Sequence, residues 1–214
     1  MGLLATLLLL VVPGAREGHE IPADVTVQAF VVPAGDSVRL VVRVPLTSMR
    51  DVQFPVRGLG YVDFPAVRPL LAEQAGLWLA DYVTLFEDGR PLPRARVTAT
   101  RISLPSDRSF QELDLALAHI QATPLSNDID LVLEQAMLDV VMMAPINSEM
   151  SRFAIDPEWA HLGIRTTTVV RFLSPDGTDR VFQLSDNPGL VRLDPQWYHA
   201  FGRFMSLGFF HILD

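Results

Sequence analysis

The sequence predicts a mainly β protein: an antiparallel β-sandwich with one or two short helices, followed by a hydrophobic C-terminal helix. Three observations carry this. Runs of alternating apolar and polar residues recur at short intervals. Gly-Asp or Asp-Gly pairs separate several of them. Both ends of the chain are almost unbroken apolar stretches. At 214 residues the chain is sized for one domain plus terminal segments, since domains usually run ~100–200 residues.

The elements follow in order. Leu3 to Val12 (LLATLLLLVV) is too short to span a bilayer, which needs ~20 apolar residues. With Pro13, Gly14 and Ala15 behind it, it fits the core of a secretory signal peptide over 1–18. The extracytoplasmic domain then spans 19–190. DVTVQAFVV (24–32) sets Val25, Val27, Ala29 and Val31 against Thr26 and Gln28. Gly35-Asp36 turns the chain, and Ser37 to Val44 sets Val38, Leu40, Val42 and Val44 against Arg39 and Arg43. That reads as a hairpin with one buried and one wet face, ended by Pro45, so exchanging Arg43 should cost little. Residues 46–68 are mostly irregular, with a short strand near Gly60–Phe64. PLLAEQAG (69–76) reads as a short helix.

A second strand pair is expected from Trp78–Glu87 and Arg94–Leu104 across Asp88-Gly89. A third is expected from Thr166–Leu173 and Arg180–Leu184 around Pro175-Asp176-Gly177. Residues 109–122 have the 3–4 spacing of a helix in Leu113, Leu117 and Ile120. Residues 129–145 suit a long buried strand, with Met150–Ile155 as its partner. About seven to nine short strands point to a sandwich. Asp194-Pro195 starts a helix, and after Arg203 the stretch Phe204–Leu213 is apolar except for Ser206 and His211. A helix that loses its polar face is entering a membrane, so 194–214 reads as the start of a membrane-entering helix.

Composition excludes several functions. There is no cysteine, hence no disulfide, no thiolate zinc site and no cysteine nucleophile. A net charge of −8 argues against nucleic acid as a partner. GxSxG, HExxH and Walker motifs are absent, and no carboxylate pair is marked out by its spacing. Gly58 and Gly60 lack a following helix pattern, and Asp128 and Asp130 read as solvated loop charges. The expectation is a protein that is not an enzyme and holds no tightly bound cofactor. A hydrolase using scattered Ser, His and Asp is the least supported alternative.

The candidate ligands are histidine and carboxylate. Cleavage after Gly18 would make His19 the mature N-terminus, where amine and imidazole together chelate a transition metal. His211 and Asp214 lie three apart and share one helix face. Ionisable groups in an apolar helix usually mark an ion path. His119, His161 and His199 are isolated in sequence and read as surface or satisfied core side chains.

Three stretches carry a resemblance: HEIPADVTVQAFVVP near the start, LPSDRSF at 104–110, and GLVRLDPQWYHAFGRFMSLGFFHILD at the end. Together with the signal-like leader they resemble the HupE/UreJ family of hydrogenase and urease accessory membrane proteins. The likeness is to the subfamily with a large N-terminal extracytoplasmic domain. It implies a cell-membrane protein handling nickel or cobalt, with the chain covering the periplasmic ectodomain and the start of the first transmembrane helix. His211 and Asp214 match the beginning of that family's histidine–aspartate signature. A rival reading from the residues alone is a β-sandwich binding module that recruits a partner or ligand without metal chemistry.

Overall fold

Val25, Val27, Ala29 and Val31 point to one side of their strand and are buried, as their alternation predicts. The computed structural model describes residues 24–194. The signal segment expected at 1–18 lies outside them, as does the helix expected at 194–214 except for Asp194.

The chain runs β1 (Asp24–Ala34), β2 (Ser37–Pro45), β3 (Val56–Arg57), β4 (Tyr61–Val62), α1 (Phe64–Val67) and α2 (Leu71–Trp78). It continues through β5 (Val83–Glu87), β6 (Arg90–Pro91), β7 (Arg96–Ser103) and α3 (Leu113–Gln121). It ends with β8 (Met137–Pro145), β9 (Phe153–Pro157), β10 (Arg165–Leu173), β11 (Asp179–Ser185) and β12 (Val191–Arg192). Gly35 takes the left-handed φ of 61° that the β1–β2 turn needs. Asp63 caps α1 by accepting the Ala66 N–H, with Pro65 in the first turn.

The protein is mainly β. One sheet has the order β11-β10-β1-β2-β8-β7, a second β12-β9-β5-β6, and β3-β4 form a ribbon. All these pairings are antiparallel except β1 with β10, which is parallel. One face of the large sheet, carrying Val27, Leu40, Val42 and Met142, shares a core with Leu85 and Ile155 of the second sheet, with Trp159 and with Leu71 of α2. The rings of Phe153 and Phe172 meet across it at 6.3 Å. The opposite face buries Phe30, Val41 and Val141 under Phe110, Ala116 and Ile120. The turn Ser109–Gln111 and α3 supply these last three.

The first and third strand pairs stand as expected. The second is corrected. Trp78 ends α2, β5 pairs only briefly with β6, and β7 pairs with β8 in the other sheet. Pro91 and Pro93 lack the N–H a longer return strand would donate, so the chain leaves after two residues. Residues 129–136 are not part of a long strand, because a 3₁₀ turn at Leu133–Gln135 precedes β8. Nor does the Met150–Ile155 stretch pair with β8: β9 joins β5 and β12. Arg43 is also corrected. It is 4% exposed, on the face that α3 covers.

Candidate functional site

Arg43 of β2, Asp139 of β8 and Arg101 of β7 stand side by side across three strands. Two cations flank one anion, and Asp139 has no exposed surface. Such a row survives burial only when fully paired and hydrogen-bonded. Arg43 donates Nε and Nη2 to the two Asp139 carboxylate oxygens at 2.6 and 2.7 Å. That is the two-pronged geometry a guanidinium and a carboxylate favour.

The stretch LPSDRSF leaves the end of β7 and folds over this pair. Arg43 donates to the Asp107 carbonyl at 3.0 Å and to Asp107 Oδ1 at 2.8 Å. Ser109 N and Oγ donate to the same Oδ1 at 2.9 and 2.5 Å. The Phe110 ring lies 4.2 Å from the Arg43 guanidinium carbon and 5.9 Å from the Phe30 ring. Burial works to raise the Asp107 pKa, but the Ser109 and Arg43 hydrogen bonds outweigh it and bring it down to about 2.

His119 of α3 closes the cluster. Arg101 Nε donates to His119 Nε2 at 3.1 Å, so the neutral ring carries its proton on Nδ1, 3.3 Å from Asp107 Oδ2. Arg101 also donates to the Ala122 carbonyl at 2.8 Å, tying β7 to the end of α3. Desolvation lowers the His119 pKa. Asp107 and Asp139 oppose that shift, while Arg101 and Arg43 add to it.

Ser103 Oγ stands 2.8 Å from His119 Nε2. Serine, histidine and aspartate in this order resemble a nucleophile, its base and an orienting group. The proton tells against that role: Ser103 donates it to Asp139 Oδ2 at 2.5 Å, and Ser103 has no exposed surface. In this arrangement the cluster is a clamp that joins β2, β7, β8, the 104–110 loop and α3. Open clefts among the described residues lie elsewhere. The one of about 560 Å³ is lined by Glu87, Asp88, Arg90 and Asn147 among others. Its buried carboxylate, Glu87, accepts N–H groups of Asn147 and Ser148 at 2.9 Å.

The candidate metal residues His19, His211 and Asp214 lie outside the described residues, as does His199. Among the described residues no three His, Asp or Glu side chains are grouped to hold a metal ion. No described helix is long and apolar enough to cross a membrane. Asp128 and Asp130 are exposed loop charges, and Asp130 pairs with Arg57 at 2.8 Å. His161 packs on Tyr82 with ring centroids 3.9 Å apart and bonds the Glu158 carbonyl through Nδ1. Sequence spacing missed the Arg43 cluster, because its members come from residues 43, 101, 103, 107, 119 and 139. The one available signal was LPSDRSF, a polar run directly after a strand. No family model matches the chain, and no curated protein matches it in sequence.

Proposed function

We propose that this chain is the extracytoplasmic part of a HupE/UreJ-like membrane protein that takes part in nickel or cobalt transport or in metalloenzyme maturation. On this reading residues 19–190 form a periplasmic β-sandwich, and 194–214 begin a membrane-entering helix. The observation that carries it is the C-terminal stretch from Gly189 to Asp214, where the resemblance is strongest and where His211 and Asp214 sit in an otherwise apolar run. The ordered β unit supports it by occupying the interval between the two apolar ends. The metal is cargo, bound in passing by imidazole and carboxylate, a donor set suited to nickel and cobalt. The test is nickel uptake by cells carrying the full-length protein with His211→Ala or Asp214→Ala. Loss of uptake in both variants is the expected result, and wild-type uptake in both overturns the reading.

The alternative is a binding module without metal chemistry. Leu59 favours it: the side chain is 95% exposed on the β3–β4 turn, between glycines with φ of 56° and 100°. An isolated domain that binds a protein ligand while the His211 and Asp214 variants transport normally would decide for this reading.

A further inference from the structure

The strand directions sort the loops onto two ends of the molecule. β1 and β10 run parallel, so the turns at 35–36 and 174–178 lie at the same end. Ile146 N donates to the Asp36 carbonyl, and Gly35 N donates to Glu149, which adds the 146–152 loop to that end. Asp88 N donates to the Arg152 carbonyl, adding the β5–β6 turn. The chain leaves there too: Leu193 N donates to the Phe153 carbonyl, and Asp194 follows. Asp24 opens β1 at the other end, roughly 30 Å away along a strand rising ~3.3 Å per residue. The Leu59 turn belongs there too, since Leu133 N, just before β8, donates to the Gly60 carbonyl.

At the end where the chain leaves, an apolar side chain at the tip of the 146–152 loop is held out in water. Met150 is 71% exposed. Its loop is pinned on both sides. Asn147 and Ser148 donate to Glu87, Met150 N donates to Ser148 Oγ at 3.2 Å, and Arg152 bonds Asp88. The apolar tip is therefore preformed. Exposed Arg90, Arg152 and Arg192 surround it, with Asp36, Asp88, Glu149, Asp176 and Asp194 interspersed. This mixed charge gives no long-range pull toward an anionic surface. Proximity would come from the chain itself, since Pro195 to Arg203 is a nine-residue link between Asp194 and the apolar run at 204–213. A short tether raises the effective concentration enough for a weak contact to form.

We propose that the end of the domain carrying Met150 and Asp194 rests on the bilayer surface, with Met150 dipping among the lipid headgroups and the Leu59 end facing away. This rests on the membrane reading of 194–214 given above. The absence of cysteine gives a direct test, because a single introduced thiol is the only one to label. The full chain carrying Met150→Cys or Leu59→Cys is labelled with an environment-sensitive fluorophore. It is then bound to phosphatidylethanolamine–phosphatidylglycerol vesicles with and without brominated acyl chains.

The expected result is a blue shift and at least twofold quenching at 150, with neither at 59. The 59 position, more exposed than 150, controls for insertion driven by the dye. If the chain floats with the vesicles and neither label is quenched, the orientation is overturned while the membrane reading stands. Quenching at 59 alone overturns it in the opposite sense. A chain that does not float overturns both.

Discussion

Asp139 has no exposed surface and faces Arg43 through both carboxylate oxygens, so removing either strips a buried charge of its two-pronged partner, leaving Arg43 paired with Asp107 alone or Asp139 with Ser103 and the flanking Arg101. Asp139→Ala is expected to cost about 3–5 kcal/mol. Arg43→Ser should cost a similar amount, against the near-neutral outcome that strand alternation suggests. Urea unfolding of the two variants and wild type checks both, and an Arg43→Ser midpoint equal to wild type would show that the pair adds nothing. The alternation of Val42 with Arg43 correctly placed the two on opposite faces. It could not reveal that the polar face is covered there, because Asp139 lies 96 residues away.

His119 makes this cluster sensitive to pH. Its folded pKa lies below the ordinary 6.5, since burial penalises the charged ring. Below about pH 6.5 the unfolded chain therefore binds more protons than the folded one. The contribution of His119 is complete above that pH and is lost as pH falls toward the folded value. Asp107 adds a second acid limb, present above its ordinary 3.8 and lost as pH falls toward about 2. Chemical denaturation between pH 5 and 8 should show stability declining on the acid side, with His119→Gln flattening that limb. A variant with an unchanged slope would place the titration elsewhere.

At the scale of elements, alternation was a sound guide for two hairpins whose strands are joined by a short turn. The β1–β2 and β10–β11 hairpins were both legible, because turn residues and period-2 runs act locally. Val42 is fully buried in the shared core, so Val42→Asp should destabilise by several kcal/mol through an unpaired buried charge. Where strands change sheets, local signals failed. β7 follows β5 and β6 in sequence but joins β8, a choice set by two prolines and by core partners far along the chain. The parallel β1–β10 contact was equally hidden, since its first paired residues are 141 apart. Gly163 makes this contact possible: a Cβ there would come within 2.8 Å of Val25 Cγ2 and 3.2 Å of the Arg165 carbonyl. Gly163→Ala is accordingly expected to cost about 1–3 kcal/mol by overpacking. A thermal midpoint equal to wild type would mean that β1 yields at no cost.

The whole molecule sets where the folded unit stops. The sequence reading ended the domain at residue 190, ahead of the helix start at Asp194-Pro195. The second sheet continues beyond that point. β12 pairs Val191 with Ile155 and Arg192 with Ala154, and Leu193 is fully buried in the shared core. A chain ending at Pro188 would therefore lose an edge strand and uncover the flank of β9, while one ending at Asp194 keeps both. Burying a leucine is worth about 1.5–3 kcal/mol, a large part of a marginal stability. The expected outcome is a cooperative, monomeric chain for residues 19–194. The chain ending at Pro188 should unfold at lower urea and associate through the bared β9 edge. Sedimentation and urea melts of the two chains separate these outcomes. Equal midpoints would show that β12 only lies against the second sheet and that the core closes without Leu193.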